Sequence, residues 1–109
     1  MDLAGEIADL VAQIPAGRVA TFADVAEGLG DPRAAMAVFR ILRETPAKGI
    51  HRVVRASAHV AFPRAASLLR REGVPISDRG VEDLEGRRWR EFSGPRTLKR
   101  LREIGRAHV

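Results

Sequence analysis

The chain contains no cysteine at any of its 109 positions. That absence excludes disulfides, thiolate nucleophiles and cysteine-ligated metal sites together. Histidine is scarce as well: His51, His59 and His108 are too scattered to form a zinc motif, so no metal and no cofactor are expected. Long apolar runs are also missing. Nothing approaches the ~20 residues that a membrane helix needs, and the opening Met1-Asp2-Leu3 segment leads into acidic residues rather than an apolar signal core. The expectation is a cytoplasmic, nucleoid-associated protein without a membrane partner. A hydrophobic content of 45% is enough for one domain with a modest core, and the chain reads as neither disordered nor fibrous.

The net charge of +5 is distributed in blocks. Residues 1–31 carry six acidic and one basic side chain, whereas residues 32–71 carry nine basic and one acidic, a local +8. Residues 72–86 return to −4, and residues 87–109 rise to +6. A basic band beginning in mid-chain suits a polyanion on that side. A solvated, arginine-rich surface is the alternative reading of the same pattern.

Taken in order, Leu3, Ile7, Leu10, Val11 and Ile14 recur at helical spacing and predict an amphipathic helix over residues 3–13. Pro15-Ala16-Gly17 is a turn, followed by a brief extended link. Thr21 then caps a short helix ending at Gly28-Leu29-Gly30, with Val25 and Leu29 inward and Asp24 and Glu27 toward water. Asp31 caps the next helix, with Pro32 in its first position, running to about Arg43. Two helices joined by a tight glycine-containing turn read as a helix-turn-helix. On the second, Ala35, Val38, Phe39 and Leu42 share one face, while Arg33, Met36, Ala37, Arg40 and either Arg43 or Glu44 share the other. Thr45-Pro46 ends it. Val53-Val54 predicts a short strand, Arg64 to Gly73 a helix, and residues 74–90 a hairpin turning at Ser77-Asp78-Arg79-Gly80 with a return strand from Val81 to Trp89. Trp89 is expected as a core or edge plug. A final helix after Ser93-Gly94-Pro95 carries an apolar stripe of Leu98, Leu101 and Ile104 opposite Lys99, Arg100, Arg102 and Arg106. The fold class is mainly α with a small β component.

Two segments together carry a resemblance. Ile14-Pro15-Ala16-Gly17-Arg18-Val19-Ala20-Thr21-Phe22 and Gly49-Ile50-His51-Arg52-Val53 resemble the paired motifs of the O⁶-alkylguanine-DNA alkyltransferase DNA-binding domain, over roughly residues 3–90. With Ile50 in place of the nucleophilic cysteine, the chain is similar to the cysteine-less, alkyltransferase-like branch. The resemblance implies a winged helix-turn-helix-like domain that enters the minor groove of double-stranded DNA. It places Thr21, Phe22, Arg33, Ala34, Met36, Ala37, Arg40 and Arg43 at the DNA, and Ile50, His51, Arg52, Val53 and Glu72 around the remnant of a lesion pocket. Phe22 stands where the family has a tyrosine that helps rotate the damaged nucleotide; its other reading is a staple on the helix it starts. Met36 replaces an intercalating arginine, as an apolar wedge or as an exposed or partner-packed methionine. Phe39 stands where a glycine is usual. His51 and Glu72 are expected to persist as a structural polar pair.

Alkyl transfer is excluded because Ile50 offers only hydrocarbon. Neither Ser57 nor Ser67 stands beside His51 as a substitute nucleophile. The expected function is non-enzymatic DNA binding with recognition of O⁶-alkylguanine; the alternative is a degenerate domain acting as a DNA tether or adaptor for a repair nuclease. Residues 91–109 are set apart from domain 1–90 as a basic amphipathic helix, weakly resembling the start of endonuclease V, where a further domain would begin.

Overall fold

A computed structural model describes residues 2–107, and their side chains as far as residue 104. His108 and Val109 lie outside the described residues, as does the side chain of Arg106 on the expected basic face. The first helix, α1 (Leu3–Ala12), starts where the Asp2 carboxylate accepts the Gly5 N–H at 2.9 Å. It buries Ile7, Leu10 and Val11, which with Ile14 form the floor of the main core.

After the Pro15-Ala16-Gly17 turn, β1 (Ala20–Thr21) pairs in parallel with β2 (Val53–Val54), with Ala20 opposite Val53 and Thr21 opposite Val54. This short ladder sets the start of the helix-turn-helix beside the turn that carries Ile50 and His51. The next helix, α2 (Phe22–Leu29), is closed by a capping box: Thr21 Oγ1 accepts the Asp24 N–H at 3.2 Å, and the Asp24 carboxylate accepts the Thr21 N–H at 3.0 Å. Asp24 is therefore buried, at 3% exposure, rather than facing water as its helical position suggested. Spacing along α2 could not show that a distant arginine, Arg88, supplies its counter-charge.

Asp31 caps a single 3-10 turn, Pro32–Ala34, and α3 (Ala35–Glu44) follows, so the α-helix begins three residues later than expected. It buries Val38 and Leu42 against α1 and α2, while Phe39 and Ala35 are half-buried. Farther along, α4 (Ala65–Arg71) places Leu69 in a second small core with Val19, Val54, Val74 and Val81.

The hairpin is shorter than expected. Strands β3 (Ile76–Ser77) and β4 (Gly80–Val81) pair antiparallel, but the return strand stops at Val81. Asp83, in the left-handed region at φ 52°, caps the one-turn helix α5 (Leu84–Arg87) instead. The chain then pairs elsewhere: the Val19 N–H donates to Arg87 O at 3.0 Å and the Trp89 N–H to Val19 O at 2.8 Å. Trp89 packs on the main core and meets Phe92 edge-on at 4.9 Å.

The last helix, α6 (Thr97–Ala107), is tied to the rest by its first turn. Gln13 exchanges two hydrogen bonds with the Ser93 backbone, at 2.7 and 2.9 Å, and Leu98 packs on the main core. The expected stripe is thus divided, because Leu101 and Ile104 remain 43% and 56% exposed. The docking is close at Gly30, the left-handed C-cap of α2 (φ 106°), where an added Cβ would lie 2.5 Å from the Lys99 nitrogen. Gly30→Ala combines backbone strain with a clash against backbone, and urea denaturation should show a loss of about 2 kcal/mol or more. A loss below about 0.5 kcal/mol would mean that α6 is not held there.

Candidate nucleic-acid interface

The outward face of α3 is set by what its inward face must cover. Val38 and Leu42 fill the core, which turns Met36, Ala37, Arg40 and Arg43 outward. Met36 is 61% exposed, a large apolar side chain without cover among the described residues. Arg40 has no ion-pair partner among the described residues, and the Arg43 guanidinium lies 5.7 Å from the centre of the Phe39 ring. Arg33 differs from both. Its Nε and Nη2 each donate to the Asp31 carboxylate at 3.0 Å, which raises the arginine's pKa, lowers the aspartate's and cancels most of the local charge. The strongest free cations on this face are therefore Arg40 and Arg43.

Thr21 and Phe22 are both buried. The Thr21 hydroxyl is used in the helix cap, so this residue positions the face rather than presenting a donor on it. Phe22 sits edge-on to Phe39 at 5.2 Å and to Phe62 at 5.9 Å, and Phe39 lies tilted against Phe62 at 6.3 Å. The ring thus packs on α3 and on the Phe62 segment, and the residue also borders a cavity. Ala34 packs half-buried against the main core.

Two cavities flank this aromatic cluster. One, about 250 Å³, is lined by Thr21, Phe22, Ala23, Ala35, Met36, Phe39, Arg55 and Ala56. The other, about 350 Å³, is lined by Leu42, Arg43, Glu44, Thr45, Pro46, Ile50, Phe62 and Pro63. A larger groove of about 670 Å³ between α1 and residues 93–97 is bordered by Asp2, Glu6 and Asp9, so its charge opposes any polyanion.

The other members of the expected pocket remnant have structural partners. His51 Nε2 lies 2.9 Å from Glu72 Oε2, so the expected pair is formed. Arg52 turns inward: its Nε donates to Glu72 at 3.0 Å and its Nη1 to Ile14 O at 2.9 Å. Glu72 also accepts the Gly17 N–H at 3.2 Å. Hydrogen bonds from Arg52, then from His51 and Gly17, hold the Glu72 carboxyl at about 2 despite the opposing effect of burial. Val53 is buried in the core and borders neither cavity. Of the five residues, only Ile50 lines one. Glu72 thereby ties α4, the His51 turn and the Gly17 turn together, and behind α2 the buried Asp24 does the same with Arg88 at 2.8 and 2.9 Å.

Sequence spacing alone missed Arg55, Phe62 and Arg88. Arg55 lies against the cluster, with its guanidinium 5.2 Å from the Phe39 ring centre. Its only signal was an arginine following the Val53-Val54 strand. Among the described residues no cluster of metal-ligating side chains occurs, and no helix is long and apolar enough to cross a membrane.

Residues 2–74 match the model of the 6-O-methylguanine DNA methyltransferase, DNA binding domain. Over 113 residues the chain is 34% identical to a bifunctional methyltransferase/endonuclease of Thermoplasma volcanium, a match covering 94% of this chain and 35% of that protein. It is 38% identical over 88 residues to a DNA base-flipping protein of Escherichia coli K12, covering 73% of this chain and 68% of that one. The fold superposes on Schizosaccharomyces pombe Atl1, in a complex with damaged DNA containing O6-carboxymethylguanine, with a TM-score of 0.70 and 25% identity over 82% of this chain and 96% of Atl1. The chain thus spans about a third of its bifunctional relative and about two thirds of the base-flipping protein. A family match over residues 2–74, on a domain whose helix-turn-helix leads into the Ile50-His51-Arg52-Val53 turn, makes this chain a cysteine-free member of the 6-O-methylguanine DNA methyltransferase DNA-binding domain family.

Proposed function

We propose that this chain is a non-enzymatic DNA-binding protein of the alkyltransferase-like type, which lays α3 in the minor groove and recognises O⁶-alkylguanine without removing the alkyl group. The observation that carries the reading is the outward face of α3: Met36, Ala37, Arg40 and Arg43 are exposed together, and Met36 lines an apolar cavity of about 250 Å³. Small residues let the helix backbone approach a duplex, and an exposed apolar side chain opens a base step at the cost of a few kcal/mol in lost stacking. The Atl1 complex with damaged DNA and the base-flipping relative support the same reading. Ile50 has no lone pair to attack an alkyl carbon, so recognition ends in binding.

Binding is chiefly electrostatic. With ~5 phosphate contacts the slope of log K against log salt is about −4 to −5, a loss of roughly 250- to 1,000-fold between 50 and 200 mM salt. Fluorescence anisotropy with a short duplex, with and without one O⁶-methylguanine and at two salt concentrations, tests the reading. A lesion preference of about tenfold, worth ~1.4 kcal/mol, is expected; equal affinity for both duplexes would remove the damage-recognition part.

Arg40→Ala should weaken binding and lower the salt slope by about one. Arg33→Ala should do less, since Asp31 already neutralises that guanidinium. If Arg33→Ala proves the more damaging, this assignment of charges along the face is wrong.

One observation favours a second reading, in which the domain tethers a repair nuclease. Leu101 and Ile104 are exposed on α6. The match to the endonuclease-bearing relative extends over 94% of the chain, whereas that to the base-flipping protein extends over 73%. Salt-sensitive binding with no lesion preference is the outcome that would select the tether.

A further inference from the structure

Few cations on the outward face of α3 are free. Asp31 takes up the charge of Arg33, which leaves Arg40 and Arg43, while the second basic block of the chain, residues 87–109 at +6, lies outside that helix. The fold brings part of this block to the same corner. Lys99, in the first turn of α6, packs on Gly30, between α2 and the Asp31 cap. Three residues on, and on the same side of α6, Arg102 acts on Asp31 itself. That carboxyl is held below its ordinary value first by the hydrogen bonds of Arg33 and, to a smaller extent, by the charge of Arg102. One carboxylate thus stands before two guanidiniums, and the corner keeps a residual positive charge. Lys99 is exposed and Arg102 half-buried, and neither has an ion-pair partner among the described residues; Glu103, the one carboxylate within α6, pairs with neither.

The helix is held in this place by its first turn. The Thr97 N–H donates to Glu6 Oε2 at 3.3 Å, Arg96 Nη2 donates to Glu27 O at 3.4 Å, and Leu98 packs on the main core. Arg102 and Arg33 flank one carboxylate just before α3, so the cations of α6 adjoin the outward face of α3 rather than forming a patch of their own. Resting on the reading of this chain as a DNA-binding protein, we infer that α6 is a second DNA contact, in which Lys99 and Arg102 bind backbone phosphates of the duplex beside the groove that α3 enters. A helix of 11 residues is about 16 Å long, and a duplex carries one phosphate per ~1.7 Å of its axis, so two side chains one turn apart reach separate phosphates. Such contacts read no base edge. They add affinity and fix the register of the protein on the duplex, and they leave lesion preference unchanged. Leu101 and Ile104 project on the opposite side of α6, and this contact leaves them uncovered.

The test is a salt titration of the full chain, by fluorescence anisotropy, with a plain duplex and with the same duplex bearing one O⁶-methylguanine. The double variant Lys99→Gln, Arg102→Gln should lower the slope of log K against log salt by about two and weaken binding about tenfold or more at ~100 mM salt. Both duplexes should lose the same factor. Lys99→Gln alone, at an exposed position, should lower the slope by about one, so the result does not depend on the place of Arg102 beside Asp31. Arg100→Gln removes the same charge from another side of α6 and should change the slope by less than about half a unit. An unchanged slope in the double variant, with Arg40→Ala still weakened, overturns the inference and leaves DNA binding by α3 intact. An effect of Arg100→Gln as large as that of Lys99→Gln would assign the gain to net charge, and a fall in lesion preference would place α6 at the base; either overturns the inference. No salt-sensitive binding by the parent chain overturns the DNA-binding reading itself, and this inference with it.

Discussion

Arg88→Ala should lower the stability of this protein by about 3 kcal/mol, within the range of about 3–5 kcal/mol expected when one partner of a buried ion pair is removed. Arg88 donates to both Asp24 carboxylate oxygens, at 2.8 and 2.9 Å, and the Asp24 side chain has almost no access to water. Burial alone would raise the Asp24 carboxyl. The hydrogen bonds of Arg88 and of the Thr21 backbone outweigh that effect and hold its pKa below the ordinary value, while the same bonds raise that of Arg88. Without the guanidinium, the nearest substitute is Arg90, whose Nε stands 3.5 Å from Asp24 and whose side chain is half in solvent. The expected loss is a large part of the ~5–15 kcal/mol that a domain of this kind possesses. Urea denaturation at neutral pH measures it. A loss under about 1 kcal/mol would show that Asp24 can take up its proton or turn to water cheaply, and that the pair is not what fixes the start of α2. Because Asp24 also caps Thr21, the variant should weaken DNA binding as well, by misplacing a face it does not touch.

The second large effect concerns Glu72. Its carboxyl is held at about 2 in the fold against an ordinary 4.5, with Arg52 the leading cause. Between those two values the unfolded chain binds the proton more readily than the folded one, so stability rises with pH across the window. The contribution is fully present above about pH 5 and disappears as the pH falls through 4.5 toward 2. The Glu72 side chain is 16% exposed, and after allowance for solvent screening the carboxylate contributes about 2 kcal/mol. Glu72→Gln should therefore lower stability by about 2 kcal/mol at pH 7 and flatten the acid limb of the stability curve. Thermal denaturation of parent and variant from pH 7 down to pH 2.5 gives both numbers. Parallel curves would mean that the acid limb belongs to other carboxylates and that the Arg52, His51 and Glu72 cluster is incidental. The same variant loosens the turn that carries Ile50, because His51 and Arg52 both bond to the Glu72 carboxylate.

Much of this protein was legible from its residues. Helical spacing of Leu3, Ile7, Leu10 and Val11 sufficed for α1, because an amphipathic stripe has only one face to bury. Thr21 and Gly30 bounded α2 and Asp31 opened the next segment, since caps and left-handed positions are set by local chemistry. Paired motifs around Ile14-Pro15 and His51-Arg52-Val53 led to the family, and the missing cysteine removed any thiolate from these residues whatever the fold. What the local pattern misjudged involves long separations. Asp24 was assigned to solvent because its partner lies 64 residues away, and the return strand was drawn to Trp89 because nothing near Arg88 announces its bridge to Val19. Arg33 looked like a free cation, although Asp31 two residues earlier takes up its charge.

The sequence by itself settled the chemical limits: no thiolate, a basic band from Pro32 onward, and a helix whose outward face is small, apolar and cationic. These depend only on which side chains exist and on the helical repeat. The tertiary structure decided which arginines are free and which are consumed, and it alone brought Phe22, Phe39 and Phe62 from three separate segments into one aromatic cluster with Arg55 against the Phe39 ring. Neither composition nor spacing encodes such a meeting, because a contact between distant residues is selected by the packing of the whole core.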